Sequence, residues 1–110
     1  MAAEPVEYDE RLALTAAELD RLATRLRRLS AAAWTTRRAP VVALLRQLAD
    51  VERSVSRGSP HDVPAVPDHA MGDAVATIGG DALDVLSGYP DDRQLAVMLS
   101  AVRAALDATR

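Results

Sequence analysis

The amino-acid sequence predicts an all-α protein, a small up-and-down four-helix bundle with a long proline-rich loop between helices two and three. Apolar residues recur at spacings of three and four in four separate stretches, which is typical of amphipathic helices. Glycine, proline and capping residues separate these stretches. The 110 residues include no cysteine, so disulfide scaffolds and cysteine-ligated metal sites are excluded. We expect a single domain over residues 1–110, because a chain of this length can bury about two thirds of its unfolded surface.

The first helix is predicted from about Thr15 to Leu29. Thr15 and Glu18 have the spacing of a capping box, in which the two side chains satisfy each other's backbone N–H groups. Leu14 and Leu19 flank this box at the positions of a hydrophobic staple. Residues 1–14 are interpreted as a flexible segment or a short extra helix, with a break near Leu14. Helix is favoured over strand for residues 6–14, because no second strand candidate exists for pairing.

The second helix is predicted to begin at Pro40, since proline lacks the N–H that a first helical position leaves unused. Residues 30–39, which include Trp34, then form a connector. Gly58 can adopt the left-handed conformation that closes a helix. Residues 57–68 contain three prolines and are predicted to form a long surface loop.

The third helix is predicted to start near Pro67 or Asp68 and to end at residues 88–90, where glycine and proline stop it. Asp91, with Gln94 three residues later, predicts the cap of a fourth helix. The predicted core consists of the apolar stripes of these helices: Leu19, Leu22, Leu26, Leu29, Leu44, Leu48, Val51, Val55, Val75, Ile78, Val85, Leu86, Leu95, Leu99, Val102 and Leu106.

Several function classes find no support in the sequence. No uncharged run approaches the roughly 18 residues of a membrane-spanning helix, and the first ten residues are acidic where a secretory signal is basic. We therefore expect a cytoplasmic protein without membrane contact. No nucleophile elbow, zinc-protease helix or phosphate-binding loop is present, so an enzyme is not favoured and no cofactor is expected.

Arginines cluster in residues 21–38, a stretch without an acidic residue. A basic patch of this kind can neutralise phosphates. However, the net charge is −3, no aromatic platform accompanies the arginines, and basic residues are common at helix carboxyl ends. Nucleic-acid binding is thus disfavoured, although the patch is kept as a candidate: Arg21, Arg25, Arg28, Arg37 and Arg38.

The two histidines are weak candidates for metal binding. His69 and Asp73 are four residues apart and would share a helix face, and His61 lies in the preceding loop. A zinc site needs at least three protein ligands. We therefore predict no metal site, since helix-start carboxylates usually act as caps.

Small residues form a stripe along the third helix at Gly72, Ala76, Gly79 and Gly80. Each internal glycine costs about 1 kcal/mol relative to alanine, so a close contact should compensate. The stripe can face a neighbouring helix, a bulky side chain such as Trp34, or a ligand. Internal packing is the favoured interpretation, and Trp34 is expected to cover the core.

The segment LRRLSAAAW, residues 26–34, resembles the opening of DinB-like and mycothiol-dependent maleylpyruvate isomerase helical domains. That resemblance implies a four-helix bundle with a three-histidine metal site. This chain has two histidines, so no site residue is carried over. Residues 66–83 are similar to short uncharacterised helical proteins of actinobacteria, and the use of arginine as the only cation fits a high-GC coding bias.

The functional hypothesis favoured by the sequence is a non-enzymatic protein-interaction or regulatory module that binds a second copy of itself or another protein. A small-molecule- or metal-binding protein that uses the loop of His61 and His69 and the glycine stripe is the alternative. An arginine-mediated nucleic-acid binder is the third hypothesis.

Overall fold

The computed structural model describes residues 5–57 and 65–110. A single 3₁₀ turn at Asp68–Ala70 precedes the third helix. The four helices are α1 (Pro5–Arg27), α2 (Ala31–Ser56), α3 (Met71–Gly88) and α4 (Asp92–Ala108). The described residues contain no strand. The prediction of an all-α four-helix bundle is therefore confirmed, with the widest gap between helices falling after α2.

Helix α1 packs against α3 and α4, and α2 packs against the same two helices. The helices thus follow one another around the bundle in the order α1, α3, α2, α4. Helices α1 and α3 are antiparallel, because the Tyr8 hydroxyl reaches the carbonyl of Leu86 while Arg27, at the other end of α1, pairs with Asp73.

Helices α1 and α4 run in the same direction. Arg11 pairs with Asp92 at a distance of 3.0 Å where α4 begins. Arg25 donates to the carbonyl oxygen of Leu106 at 2.6 Å where α4 ends. Because α3 is antiparallel to α1, it is also antiparallel to α4, as expected for two helices joined by a tight turn.

The second helix starts at the end of the bundle where α3 begins and α4 ends. Arg37 donates to the carbonyl of Arg110 at 2.8 Å, and Arg38 pairs with Asp68 just before α3. Helices α2 and α3 therefore run in the same direction. The order is up, down, down, up, and it differs from simple up-and-down alternation at the connection between α2 and α3.

The predicted capping box at Thr15 and Glu18 is wrong. Thr15 lies in the middle of α1, where its buried hydroxyl donates to the carbonyl of Arg11 at 2.8 Å. Glu18 instead pairs with Arg21 at 3.1 Å. Leu14 is 42% exposed and forms no staple, and the helix has no break there. The helical interpretation of residues 6–14 is confirmed.

Tyr8 explains why α1 extends so far towards the amino end. Its side chain is 5% exposed and lies in the core cluster. Its hydroxyl donates to the carbonyl of Leu86 at 2.7 Å and accepts from the N–H of Asp91 at 3.1 Å. Burial raises the pKa of the Tyr8 phenol above the ordinary value of 10.0. One oxygen thus ties the first turns of α1 to the α3–α4 turn.

The predicted connector over residues 30–39 is also wrong, because α2 begins at Ala31. The Ser30 hydroxyl accepts from the N–H of Ala33 at 3.2 Å and caps the helix. Trp34 is 3% exposed and belongs to the core, which stabilises these extra turns. Its role as a core side chain is confirmed.

Pro40 lies inside α2 instead of at its start. Proline cannot donate the helical hydrogen bond to the carbonyl four residues earlier, that of Thr36. At the other end, Arg57 adopts the left-handed conformation with φ 56°, and its N–H donates to the carbonyl of Arg53 at 2.9 Å. The residue predicted for this role, Gly58, lies outside the described residues.

The boundaries of α3 and α4 are close to those predicted. Helix α3 follows the 3₁₀ turn that begins at Asp68, and the helix itself ends at Gly88. The Asp91 carboxylate accepts from the N–H of Gln94 at 3.0 Å, so the predicted cap of α4 is confirmed. None of the described helices is long and apolar enough to cross a membrane.

The core lies where the four apolar stripes meet. Eleven predicted residues are buried: Leu19, Leu22, Leu26, Leu44, Leu48, Val51, Val75, Leu86, Leu95, Val102 and Leu106. Five others are only partly buried and lie at the margin: Leu29, Val55, Ile78, Val85 and Leu99. The predicted core did not include further buried residues: Tyr8, Ala23, Val41, Leu45, Met71, Ala82, Met98 and Ala105.

Candidate functional site

The side of α4 that faces away from the core forms the candidate site. At helical spacings of three and four it presents exposed residues that we call the α4 outer face: Arg93, Ala96, Val97, Ser100, Ala104 and Asp107. The opposite side of the same helix carries buried Leu95, Met98 and Val102. Val97 is 45% exposed, which makes it one of the few large apolar side chains left in contact with water.

This face borders a shallow groove between α2 and α4. Gln47 of α2 and Ala101 of α4 line it together with residues of the outer face, and the groove has a volume of about 510 Å³. Its floor is formed mainly by alanine, valine and serine side chains. Short side chains allow another backbone to approach closely, since the separation of packed helices depends on the side chains at their contact.

The two charged residues of the α4 outer face stand at its ends, and a third charged residue, Arg103, stands at the edge of its middle. Arg93 lies in the first turn of α4, and Asp107 lies in the last turn, where it pairs with Arg110 at 3.0 Å. Arg103 lies beside the face and reaches towards Glu18 of α1 at 3.9 Å. A partner would therefore meet a small-residue surface with one positive and one negative end.

The glycine stripe of α3 is closed by α1 at two positions. A Cβ atom at Gly79 would lie 2.6 Å from a methyl carbon of Leu19. A Cβ atom at Gly72 would lie 2.6 Å from the Cγ of Arg27. Ala76 is half-buried, and Gly80 has no atom within 4 Å of its Cβ position. The close packing of α1 against Gly72 and Gly79 is thus the contact that compensates for the cost of glycine inside α3.

The weak candidates for metal binding do not form a group of ligands within the described residues. His69 is exposed in the 3₁₀ turn, and Asp73 pairs with Arg27 at 2.9 Å. His61 lies outside the described residues. Within residues 5–57 and 65–110, no group of three or more histidine, aspartate or glutamate side chains could hold a metal ion.

The predicted basic patch is divided between α1 and α2, and most of its arginines are engaged within the fold. Arg28 is exposed in the turn directly after α1. The other four have partners: Arg21 pairs with Glu18, Arg25 donates to the Leu106 carbonyl, Arg37 donates to the Arg110 carbonyl, and Arg38 pairs with Asp68. Two of these contacts satisfy carbonyl groups at the end of α4, where arginine is favoured by the helix dipole.

Sequence reasoning did not single out the α4 outer face. The signal that could have identified it is the placement of charge along the helix. Arg93 in the first turn and Asp107 in the last turn both oppose the preference set by the helix dipole. Between them, Ala96, Val97, Ser100 and Ala104 are exposed and uncharged, and Arg103 is the one charged residue at the margin of the face.

Comparisons with protein-family models, with curated proteins and with solved structures find no match for this chain.

Proposed function

We propose that this protein is a non-enzymatic protein-interaction module and that it binds its partner through the α4 outer face. The observation that carries the proposal is an exposed helix face of about four turns whose central residues Ala96, Val97, Ser100 and Ala104 are uncharged, with Arg103 at its margin turned towards Glu18 of α1, in a chain of which 26% of residues are charged. An exposed apolar patch with charged residues at its rim is typical of a binding site. The cytoplasmic location and actinobacterial origin expected from the sequence stay predictions.

The chemistry of the groove fits a helix better than an extended chain. An amphipathic helix binds by placing residues at spacings of three and four into an apolar groove. The groove between α2 and α4 is lined at the same spacing by Ala96, Ser100 and Ala104. Burial of Val97 and these small side chains would supply the driving force, while Arg93 and Asp107 would set the direction of the bound helix.

A site-specific photocrosslinker tests the proposal. A benzoylphenylalanine residue at Val97 should form a covalent adduct with a protein in cells, because this exposed position lies on the docking surface. The matched control places the same residue at Ala17, which is also exposed but lies on α1. We expect adducts from Val97 and few or none from Ala17.

Two further measurements make the result specific. The adduct should disappear when Ser100→Arg is combined with the crosslinker, because a long charged side chain would block the groove. The partner identified by mass spectrometry should bind the purified wild-type protein and not the Ser100→Arg variant. Equal crosslinking from both positions, or no protein adduct from Val97, would contradict the proposal.

A further inference from the structure

We infer that the partner of the α4 outer face is a second copy of this chain, docked with the two α4 helices antiparallel about a two-fold axis that passes near Ser100. The inference rests on the proposed function, because it names the partner of the same surface. Symmetric pairs present the same patch on both copies, so the patch must be complementary to itself.

The positions along α4 meet this requirement. In an antiparallel pair centred on Ser100, residues equally distant from it on the two copies come together. Ala96 and Ala104 lie four residues on either side of Ser100, so the small residues of one copy face those of the other. The two backbones can then approach closely over three successive turns.

The same register brings opposite charges together. Arg93 and Asp107 lie seven residues on either side of Ser100, so each Arg93 faces Asp107 of the other copy. Both side chains are exposed and lie on the outward side of the helix. A parallel pair would instead place like charges opposite each other, so the charges select the antiparallel direction.

The helix dipole supplies an independent argument for an external partner. The first turn of a helix favours acidic side chains and the last turn favours basic ones. Arg93 and Asp107 occupy the opposite ends from those preferred, so neither placement stabilises the isolated helix. Pairing with the other copy would give Arg93 an acidic neighbour and would give Asp107 a second basic neighbour beside Arg110.

The groove beside α4 extends the contact beyond the two helices. Gln47 of α2 and Ala101 of α4 line the groove into which the other copy's α4 would settle. A symmetric interface would therefore be built from α2 and α4 of both copies. Because its side chains are mostly short, we expect a reversible dimer that dissociates on dilution.

Light scattering and sedimentation of charge variants test the dimer. The wild-type protein should approach twice its monomer mass of 11.7 kDa at high concentration. Arg93→Asp and Asp107→Arg, made singly, each create two like-charge pairs and should raise the dissociation constant about tenfold or more. The double variant restores the pairing with its sign reversed and should return the constant to near the wild-type value.

These variants separate association from folding. Arg93→Asp places a charge that the helix dipole favours, so its dilute monomer should melt at or above the wild-type temperature. Asp107→Arg also places a favoured charge but loses the exposed pair with Arg110, so its monomer should melt close to the wild-type temperature. A clearly lower melting temperature for Arg93→Asp would contradict the dipole argument. Weakened association in a fully folded monomer would support the inference.

A cysteine at the two-fold axis gives a geometric test. The chain has no cysteine, so Ser100→Cys introduces the only thiol. Under mild oxidation it should form disulfide-linked dimers, because the two Cβ atoms at position 100 would lie close enough for a disulfide. Ala17→Cys on the exposed side of α1 is the matched control and should crosslink far more slowly.

The outcomes distinguish this inference from the proposed function. A wild-type protein that stays strictly monomeric at about 1 mM, where a dimer with a dissociation constant of about 1 mM would already be half formed, would overturn the dimer. A dimer that ignores the charge variants and forms no Ser100→Cys disulfide would overturn the proposed register. If Val97 crosslinks to a different protein while the chain stays monomeric, the dimer fails and the interaction module stands.

Discussion

Two stripes of small residues run along this molecule, one on α3 and one on α4, and they meet different surroundings. The α3 stripe contains Gly72 and Gly79, and side chains of α1 occupy the space beside both glycines. The α4 stripe, centred on Ser100, lies on the outside of the bundle. Small residues at the same spacing therefore allow close helix packing within the fold in α3, whereas those of α4 remain exposed.

The two stripes differ because the large buried residues lie on the opposite side of α4 from its small residues, but on the same side of α3. The apolar residues of α4 at Leu95 and Val102 already bury the opposite face, so its small residues point away from the core. In α3, Val75 and Ala82 are buried together with Gly72 and Gly79, so the small residues share the inward face. Small-residue spacing indicates a close helix contact, and the position of the apolar stripe shows whether that contact is internal.

The largest effect should come from placing leucine in each stripe. Gly72→Leu should lower the free energy of unfolding by about 3 kcal/mol or more, because overpacking would force α1 and α3 apart. A Cβ at this position already lies 3.0 Å from the backbone oxygen of Ala23. Ser100→Leu should change the free energy of the dilute monomer by no more than about 0.5 kcal/mol. Urea unfolding measures both, and equal losses would remove the distinction between the stripes.

The next largest effect should follow from removal of the Tyr8 hydroxyl, which forms a hydrogen bond between the start of α1 and the end of α3. Tyr8→Phe should cost about 1–3 kcal/mol at neutral pH, because the Leu86 carbonyl and the Asp91 N–H lose their partner. Tyr89→Phe is the matched control, since Tyr89 is 68% exposed and should be nearly neutral. Similar losses for both variants would mean that the buried hydroxyl does not stabilise this contact.

The pH dependence of stability gives a second test with the same two variants, Tyr8→Phe and Tyr89→Phe. The pKa of Tyr8 is raised in the folded state, mainly by burial, so folding favours the protonated phenol. Its contribution to stability is complete below the unfolded pKa of 10.0 and is lost as the pH rises through the higher folded pKa. The Tyr8→Phe protein should therefore lose less stability in alkali than wild type, whereas Tyr89→Phe should behave like wild type.

The smallest effect should separate two adjacent glycines of α3. Gly80→Ala should raise the free energy of unfolding by about 1 kcal/mol, because alanine favours helix and meets no atom at this position. Gly79→Ala brings its methyl group against buried Leu19 and should be less stable than Gly80→Ala by about 1–3 kcal/mol. Thermal melts of the two variants would contradict this if both moved in the same direction by the same amount.

Apolar periodicity was enough to predict four helices, and local chemistry was enough to place some of their ends. Asp91 caps α4 as predicted because its carboxylate has a nearby N–H to bind in any fold. Thr15 and Glu18 have an equally good capping pattern, yet tertiary contacts of Tyr8 extend α1 past them. A local pattern predicts a helix start only where no long-range contact continues the helix.

Pro40 is a second residue whose local pattern predicted a helix start that the structure does not have. Proline at a helix start and proline inside a helix leave the same mark on the sequence. Burial of Trp34 and the Ser30 cap stabilise the turns before Pro40. The sequence alone did not show that these two effects outweigh the cost of a proline inside the helix. The direction of α3 relative to α2 was equally hidden, because it shows only in contacts between residues distant in the sequence, such as the pair of Arg38 and Asp68.

The Tyr8 hydroxyl also constrains the order in which the chain can assemble. Its two partners lie 78 and 83 residues further along the sequence. Closing so long a loop is slow compared with forming a helix, so helix formation alone does not set the folding rate. During synthesis, α1 leaves the ribosome with its apolar side uncovered and must wait for most of the chain. A chaperone that recognises exposed leucines would therefore meet α1 before it meets α2, α3 or α4.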